Sequence, residues 1–416
     1  MLRIIDHRQA EKLLRRRTAR LSAAERIVAP IIEDVRRNGD RALLKYARRL
    51  DGLAAGARTV LVSAEEIEAG YAALSPQFRK ALRVASRHIR EFARLQLPKP
   101  ISVRLAGGQR VGQIIRPLDA MAAYVPSGRY PLPSTVLMTV IPAQVAKVPR
   151  TYIASPRPSP EILGTARRLG VDKVFRMGGA QAIAALAFGT ETVPRVDRIV
   201  GPGSIYVTAA KKLLAGEVGI DFVAGPTEIL IIAEQGDPRT IAADMLAQAE
   251  HDVDAAAILV TTDKRLASAV AAEVREQLKT LPTAPIASAS IRRNSVSIVV
   301  PSLDSAIEIS NRFAPEHLNI PDANLVGRIT AAGSVFIGPN SPEAAGDYAS
   351  GPNHVLPTSG LARVRAGLSS ADFVKVISVQ ELNRAALERL APAITTLARA
   401  EGLEAHARSV EVRLRG

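Results

Sequence analysis

The fold is decided by the stretch Thr151-Tyr-Ile-Ala-Ser-Pro-Arg-Pro-Ser-Pro160-Glu-Ile-Leu-Gly-Thr-Ala-Arg-Arg-Leu-Gly170-Val-Asp-Lys-Val-Phe-Arg-Met177. It contains an apolar strand, a helix with clear ends and a second apolar strand. Ser159 is a favourable N-cap, Pro160 suits the first helical turn, and Gly170 ends the helix. A strand, a helix and a second strand in this order are typical of a parallel sheet covered by helices.

The same alternation continues toward the C-terminus. A second long helix begins at Asp237-Pro238. Outside the alternating region, residues 1 to about 95 and the last 50 or so residues are predicted to be helical. The predicted strands are Thr151–Ser155, Val171–Met177, Val196–Val200, Val218–Val223, Glu228–Ala233, Ala256–Thr261, Ser297–Val300 and Ser334–Ile337. The sequence therefore predicts an α/β protein with mostly parallel sheets.

The composition is that of a globular protein without thiol chemistry. A length of 416 residues suggests two or three domains, and the chain has 47% hydrophobic residues, 4% aromatic residues and no cysteine. The N-terminus lacks a basic segment followed by an apolar run, and no apolar stretch reaches the ~18 residues of a membrane span. We expect a cytoplasmic protein with no membrane partner.

The net charge of +15 raises the possibility of nucleic-acid binding. The densest basic runs are Arg15–Arg17, Arg36-Arg37 and Arg48-Arg49, and acidic residues are interleaved with them. Because there is no zinc-finger spacing or set of stacking aromatics, solvated helix faces explain these runs better. No specific nucleic-acid partner is expected, although the charge can attract anions such as dinucleotides.

Histidine is rare, and most of the six histidines lie beside acidic or amide side chains. The strings are Gln248-Ala-Glu-His251-Asp252, Pro315-Glu316-His317-Leu318, Asp347-Tyr-Ala-Ser-Gly-Pro-Asn353-His354 and Glu401-Gly-Leu-Glu-Ala-His406. Imidazole nitrogen with carboxylate and amide oxygen is a ligand set for zinc or a similar divalent ion. The alternative is that each histidine is a surface or capping residue.

Gln248 and His251 are the first pair of candidate metal ligands. They end the helix that begins at Asp237, and a separation of three residues places both side chains on one helix face. Asp347 is predicted to lie in a glycine-flanked loop, and His406 can supply a further nitrogen. Together these residues predict an open site with two nitrogen and two oxygen ligands.

Glu316 and His317 suggest acid–base chemistry. Pro315 ends the predicted helix Ser302–Phe313 and leaves the two residues on a loop. Adjacent side chains diverge, so the imidazole can act as a base while the carboxylate activates water. A capping glutamate and a surface histidine are the alternative interpretation.

No nucleotide-binding motif is complete. The string Gly201-Pro-Gly203 is only a fragment of the dinucleotide fingerprint. Gly178-Gly179-Ala-Gln181 follows a strand and opens a small-residue helix, so it can cradle a phosphate at the helix N-terminus. Close packing of a buried helix explains the same residues equally well.

Taken together, these strings resemble the histidinol dehydrogenase family from about residue 20 to the C-terminus. The matching segments are Tyr124–Pro131, Met177–Pro194, Ile220–Glu228, Gln248–Asp252, Ala314–Leu318, Gly346–Thr358 and Glu401–His406. The resemblance implies a zinc-containing, NAD-dependent homodimer that oxidises L-histidinol to L-histidine in two hydride transfers through the aldehyde, with one zinc ion per subunit.

The resemblance also implies roles for individual residues. The zinc ligands would be Gln248, His251, Asp347 and His406, and the acid–base pair Glu316 and His317. NAD would contact Tyr124, Gln181 and Ser204. The substrate would contact Thr227, His354 and Glu401 as well as the zinc ligands and His317.

The implied fold comprises two incomplete Rossmann-like domains with helical extensions at both ends. Residues 1–20 would form an N-terminal helical arm, and residues 21–123 with 229–367 the domain that carries the metal and acid–base residues. Residues 124–228 would form the domain on the NAD side. Residues 368–416 would form a helical tail that reaches the active site of the partner subunit.

Some positions depart from the family pattern. Ser127 and Ser204 stand where the family usually has Gly and Asn, Thr139 replaces a usual Asn, and Thr227 replaces a usual Ser. These departures leave the affinity for the cofactor and the identity of the alcohol open. The alternatives are a related dehydrogenase of another amino alcohol or diol and, from a different class, a basic nucleic-acid-binding protein that kept the fold without catalysis.

One chemical argument supports the enzyme. Many aldehyde oxidations proceed through a cysteine thiohemiacetal. A chain without cysteine must instead use water or a hydrated aldehyde, and this is a role for Glu316.

Overall fold

The computed structural model describes residues 2–9, 21–128, 130–223 and 225–415. The strands are β1 (Arg3–Asp6), β2 (Ile101–Arg104), β3 (Arg110–Pro117), β4 (Met121–Tyr124), β5 (Thr151–Ala154), β6 (Lys173–Phe175), β7 (Arg198–Val200), β8 (Gly219–Ile220), β9 (Glu228–Ile232), β10 (Ala256–Thr261), β11 (Val296–Val299), β12 (His317–Ile320), β13 (Ser334–Ile337) and β14 (Val374–Glu381).

The α-helices are α1 (Leu21–Tyr46), α2 (Ala64–Ala72), α3 (Pro76–Leu95), α4 (Pro133–Val145), α5 (Pro160–Leu169), α6 (Gly179–Phe188), α7 (Ile205–Leu214), α8 (Pro238–Ala249), α9 (Lys264–Gln277), α10 (Ala284–Asn294), α11 (Leu303–Phe313), α12 (Glu343–Tyr348), α13 (Arg384–Ala400) and α14 (Glu404–Leu414). In the described ranges, none of the helices has both the length and the apolar character to span a membrane.

A six-stranded parallel sheet has the order β1-β11-β10-β9-β12-β13. Its edge strand β1 pairs in parallel with β11, where Arg3 lies opposite Val296. The prediction of a helical arm for residues 1–20 is therefore wrong for Arg3–Asp6, because the unpaired edge of β11 offers backbone hydrogen bonds that a four-residue segment cannot make alone. Residues 10–20 of that predicted arm lie outside the described residues.

A five-stranded parallel sheet has the order β6-β5-β4-β7-β8. The chain runs outward from β4 to β6 and then continues on the other side from β7 to β8, so the order reverses between β4 and β7. Ligands of open parallel sheets bind outside the carboxyl ends of the strands at such a point. Gly201 follows β7 there with φ 111°, and a Cβ atom on it would lie 2.2 Å from the Tyr124 carbonyl oxygen.

The third sheet is antiparallel, with the order β14-β3-β2. The prediction that the last 50 or so residues are helical is wrong for β14, which pairs along its whole length with β3. This pairing joins segments more than 250 residues apart, as between Val374 and Pro117, and no local pattern reveals it. Beyond β14, the helices α13 and α14 pack against each other.

The α/β fold class is confirmed, and every predicted strand from Thr151 onward is present with small shifts at its ends. Residues 21–123 were expected to belong to the domain that carries the metal and acid–base residues. The helices in this range pack elsewhere. Helix α1 packs on α6 and α7, α2 on α5, and α3 on α4, all of which accompany the five-stranded sheet. The buried face of α1, with Val28, Val35 and Leu43, belongs to the same hydrophobic core as Ile183.

A buried ion pair fixes the chain at the reversal point of the five-stranded sheet. The Lys211 ammonium contacts the Asp221 carboxylate, and both side chains are almost fully buried. Lys211 also donates to the Gly201 carbonyl oxygen at 3.0 Å, and the Gly201 amide donates to Asp221 at 2.7 Å. The pair therefore holds the turn that follows β7.

We expect Lys211→Met to lower the free energy of unfolding by about 3–5 kcal/mol, because it leaves the Asp221 carboxylate buried without its cation. The matched control is Lys212→Met. Lys212 forms an ion pair with Glu25 at 2.7 Å but is half exposed, so its loss should cost less than about 1 kcal/mol. Urea denaturation of the variants measures the difference, and equal costs would contradict this account of the pair.

Candidate active site and metal centre

The acid–base pair lies at the amino end of strand β12. The chain leaves α11 through Ala314, whose left-handed φ of 53° ends the helix, and His317 is the first residue of the strand. The prediction that both residues lie on a loop is correct for Glu316 and wrong for His317, and the alternative of a surface histidine is wrong because both side chains are buried. The Glu316 carbonyl oxygen accepts the Ser334 amide, so pairing with β13 fixes this backbone.

Glu316 is held by hydrogen bonds from the neighbouring strand. Its carboxylate accepts from the Thr227 hydroxyl at 2.5 Å and from the Glu228 amide at 2.9 Å. Burial raises the pKa of Glu316 above its usual value. Its nearest approach to the His317 ring is 3.9 Å, so the two side chains diverge as predicted and do not share a hydrogen bond.

His317 is surrounded by carboxylates. Its Nε2 atom lies 3.6 Å from Asp347 and has no hydrogen-bond partner, and its ring lies 5.9 Å from that of Phe336. Burial by itself would lower the pKa of His317, but Glu316 and Glu343, followed by Asp347, raise it to about 10. Three carboxyl groups therefore surround a single imidazole.

The predicted metal ligands Gln248, His251 and Asp347 are brought together. Gln248 lies in the last turn of α8 and is fully buried, whereas His251 lies two residues beyond the helix end, so the helix-face argument is only partly correct. His251 Nε2 lies 3.8 Å from Asp347 Oδ2. Asp347 belongs to the short helix α12 and not to a loop.

Glu343 is the site residue that sequence reasoning missed. One ligand atom from each of His251, Glu343 and Asp347 lies within 4.8 Å of the others, and Glu343 is almost fully buried. Burial raises its pKa to about 8. The one sequence signal for Glu343 is its spacing from Asp347. It precedes Asp347 by four residues, and this spacing puts both carboxylates on one face of α12.

The cluster fits a divalent cation. Zinc–ligand bonds of about 2.0–2.2 Å place the donors of a tetrahedral site roughly 3.3–3.6 Å apart, close to the 3.8 Å between His251 and Asp347. The donors are imidazole and carboxylate, with the Gln248 amide beside them. A cation there would also stabilise the ionised form of the carboxyl groups around His317.

His406 is not part of this cluster within one chain. It lies on α14 and is exposed, as is Glu401 at the end of α13. Among the described residues, no group of three candidate ligands includes His406. His354 is partly buried and lies beside the cluster, where its Nδ1 atom is 2.9 Å from the Asp347 carbonyl oxygen.

The predicted NAD residues lie in one strand of the five-stranded sheet and in or immediately before two helices that follow its strands. Tyr124 ends β4, and its hydroxyl accepts the Gly179 amide at 3.2 Å. Gln181 is fully buried and donates to Asp51 at 3.0 Å, while Ser204 is exposed at the start of α7. Tyr124 and Gln181 therefore meet at one turn, and Ser204 lies across the reversal point.

The phosphate-cradle interpretation of Gly178-Gly179 is not supported by this geometry. The buried carboxylate of Asp51 already accepts the Gly178 amide at 2.9 Å at the N-terminus of α6. A Cβ atom on Gly178 would lie 2.8 Å from Pro156 and 2.9 Å from Asp51. Close packing, the other interpretation, explains these glycines.

A cavity of about 460 Å³ lies beside His251. Ser127 and Arg157, which follow β4 and β5, line one side, and His251 and Asp252 line the other. The carboxyl edge of the five-stranded sheet thus faces the end of α8, where His251 follows the helix.

Comparisons with known proteins show the family of this chain. The sequence model of the family described as histidinol dehydrogenase matches residues 14–414. The chain belongs to the histidinol dehydrogenase family. As a member, it is an NAD-dependent oxidoreductase that acts on an alcohol and an aldehyde.

Several histidinol dehydrogenases are similar to this chain. That of Syntrophotalea carbinolica is 48% identical, with 94% of this chain and 93% of that protein covered. That of Synechococcus sp. is 45% identical, with 99% of each covered. The crystal structure of histidinol dehydrogenase from Elizabethkingia anophelis superposes with a TM-score of 0.95 at 38% identity and covers 100% of this chain and 98% of that one.

In this member of the histidinol dehydrogenase family, we expect His251→Ala to lose most of its bound divalent metal, because the substitution removes the imidazole donor of the cluster. Elemental analysis after dialysis measures the metal retained. The control is His7→Ala, which removes an exposed imidazole outside the cluster. Equal metal in the His251→Ala and wild-type proteins would show that His251 is not a ligand.

Proposed function

We propose that this protein oxidises L-histidinol to L-histidine through the aldehyde, in two hydride transfers to NAD, at a site that holds one zinc ion per subunit. The observation that carries the proposal is the buried Glu316–His317 pair beside the His251–Asp347 cluster. The cavity beside His251 is lined on its other side by residues that follow β4 and β5. An assay of L-histidinol with NAD, followed at the NADH absorbance, tests it directly.

The zinc ligands in this proposal are Gln248, His251 and Asp347 from one chain and the partner subunit's His406. Thr227, His354 and Glu401 complete the substrate contacts, and Tyr124, Gln181 and Ser204 contact NAD. When bound, zinc polarises the substrate oxygen or holds its imidazole, and NAD accepts the hydride in each oxidation.

His317 and Glu316 divide the proton transfers. In the first step His317, which is a neutral base once a bound cation offsets the carboxylates around it, takes the hydroxyl proton while hydride leaves the carbinol carbon for NAD. In the second step the Glu316 carboxylate, which accepts hydrogen bonds from Thr227 and Glu228, takes a proton from the water that attacks the aldehyde, while His317 returns its proton to the carbonyl oxygen to give the diol. His317 then takes the proton of the resulting diol as the second hydride leaves, and the product is the acid.

One observation favours a second candidate, in which the substrate is a related amino alcohol. Thr227 stands where the family usually has serine and adds a methyl group beside Glu316 and Gln248. A larger kcat/KM for another amino alcohol than for L-histidinol would replace the proposed substrate while keeping the same apparatus.

We expect Glu316→Gln to impair aldehyde oxidation more than alcohol oxidation, because only the aldehyde step needs activated water. His317→Ala should already slow the alcohol step by about 10²–10⁴-fold, the usual contribution of a general base. Single-turnover NADH formation from the alcohol and from the aldehyde separates the steps. Glu308→Gln, an exposed change on α11, is the control, and wild-type aldehyde turnover by Glu316→Gln would refute the assignment.

The shared site predicts complementation between inactive variants. When His251→Ala and His406→Ala subunits are mixed and allowed to exchange, half of the randomly paired dimers are mixed. Each mixed dimer has one intact and one doubly damaged site, so about a quarter of all sites should be active. If His406 acts within its own chain, every site keeps one lesion, and confirmed exchange without recovered activity would rule out the shared site.

A further inference from the structure

The Thr227 hydroxyl lies between a proposed metal ligand and the catalytic carboxylate. Its Oγ1 atom is 2.7 Å from the Gln248 side-chain amide and 2.5 Å from Glu316 Oε2. Both distances are those of strong hydrogen bonds, and no other partner is needed to satisfy the hydroxyl. Thr227 therefore joins the two functional halves of the site.

The direction of these hydrogen bonds follows from counting protons. A hydroxyl has one proton to donate, and Glu316 must be ionised to act as a base toward water. The Thr227 proton therefore goes to Glu316, whose same oxygen also accepts the Glu228 amide at 2.9 Å. Toward Gln248, Thr227 can then only accept.

This direction selects one of two orientations of the Gln248 amide. With its nitrogen on Thr227, the amide turns its oxygen toward both Glu343 carboxylate oxygens at 3.0 Å and toward His317 Nδ1 at 3.2 Å. Oxygens this close repel each other unless a cation lies between them or Glu343 carries a proton, so this orientation requires the metal or that proton. In the opposite orientation the nitrogen donates to both Glu343 oxygens at 3.0 Å, and the oxygen needs the proton that Thr227 gives to Glu316. Only the first orientation offers the amide oxygen as a metal ligand.

We propose that Thr227 is a positioning residue that orients the Gln248 amide oxygen toward the metal and at the same time holds Glu316. This inference rests on the proposed metal site and deepens it. Partners that orient a metal ligand typically change metal affinity by 10–100-fold when they are lost. The threonine side chain suits the role because its branched β-carbon restricts rotation of the hydroxyl.

The decisive variant is Thr227→Val, which keeps the shape of the side chain and removes the hydroxyl. Without an acceptor at residue 227, the Gln248 nitrogen turns to the Glu343 carboxylate, and the zinc Kd should rise by about 10–100-fold. Competition with a chelating dye measures this Kd without turnover. The matched control is Thr165→Val, which removes a buried hydroxyl bonded to the Glu161 carbonyl oxygen in α5 and should leave the zinc Kd unchanged.

A second pair of variants covers the case in which valine is not tolerated. Thr227→Ser keeps the hydroxyl and should bind zinc within about threefold of wild type, whereas Thr227→Ala should show the loss seen with valine. Unchanged zinc Kd in the valine or alanine variant, with only a higher KM for the alcohol, would mean that Thr227 merely contacts substrate. That result overturns this inference alone, whereas a wild-type protein that binds no zinc overturns the proposed metal site as well.

Discussion

The carboxylates of Glu316, Glu343 and Asp347 surround the His317 imidazole in a region with little access to solvent. Burying like charges together is costly, and they persist only where cations or hydrogen-bond donors offset them. The Thr227 hydroxyl and the Glu228 amide donate hydrogen bonds to Glu316, whereas Glu343 and Asp347 have fewer hydrogen-bond donors. An additional positive charge would therefore stabilise the carboxylates of this site, and the proposed zinc ion would supply it.

The backbone that carries this cluster is fixed by parallel strand pairing. Thr227 and Glu316 immediately precede β9 and β12, which are neighbours in the six-stranded sheet, so their side chains meet at its amino edge. Open parallel sheets usually bind ligands at their carboxyl edge. Here the carboxyl edge of the five-stranded sheet faces His251 across a cavity lined by Ser127 and Arg157.

The local sequence predicted the parts of the site that are close together along the chain. Gln248 with His251 and Glu316 with His317 stand in short strings that indicate their chemistry, and each pair lies at the site. Glu343 was missed because a glutamate after Pro342 carries no signature of its own. Its burial depends on α12 packing near the end of α8, a contact between segments about 95 residues apart.

The sequence by itself determined the alternation of strands and helices, the absence of thiol chemistry and the family, because these depend on residue types and short spacings. Only the tertiary structure decided that Arg3–Asp6 and Val374–Glu381 are strands, that Asp51 closes the N-terminus of α6, and that the acid–base pair is buried. These features depend on partners distant in the chain. Hydrogen bonding and burial between such segments override local propensity.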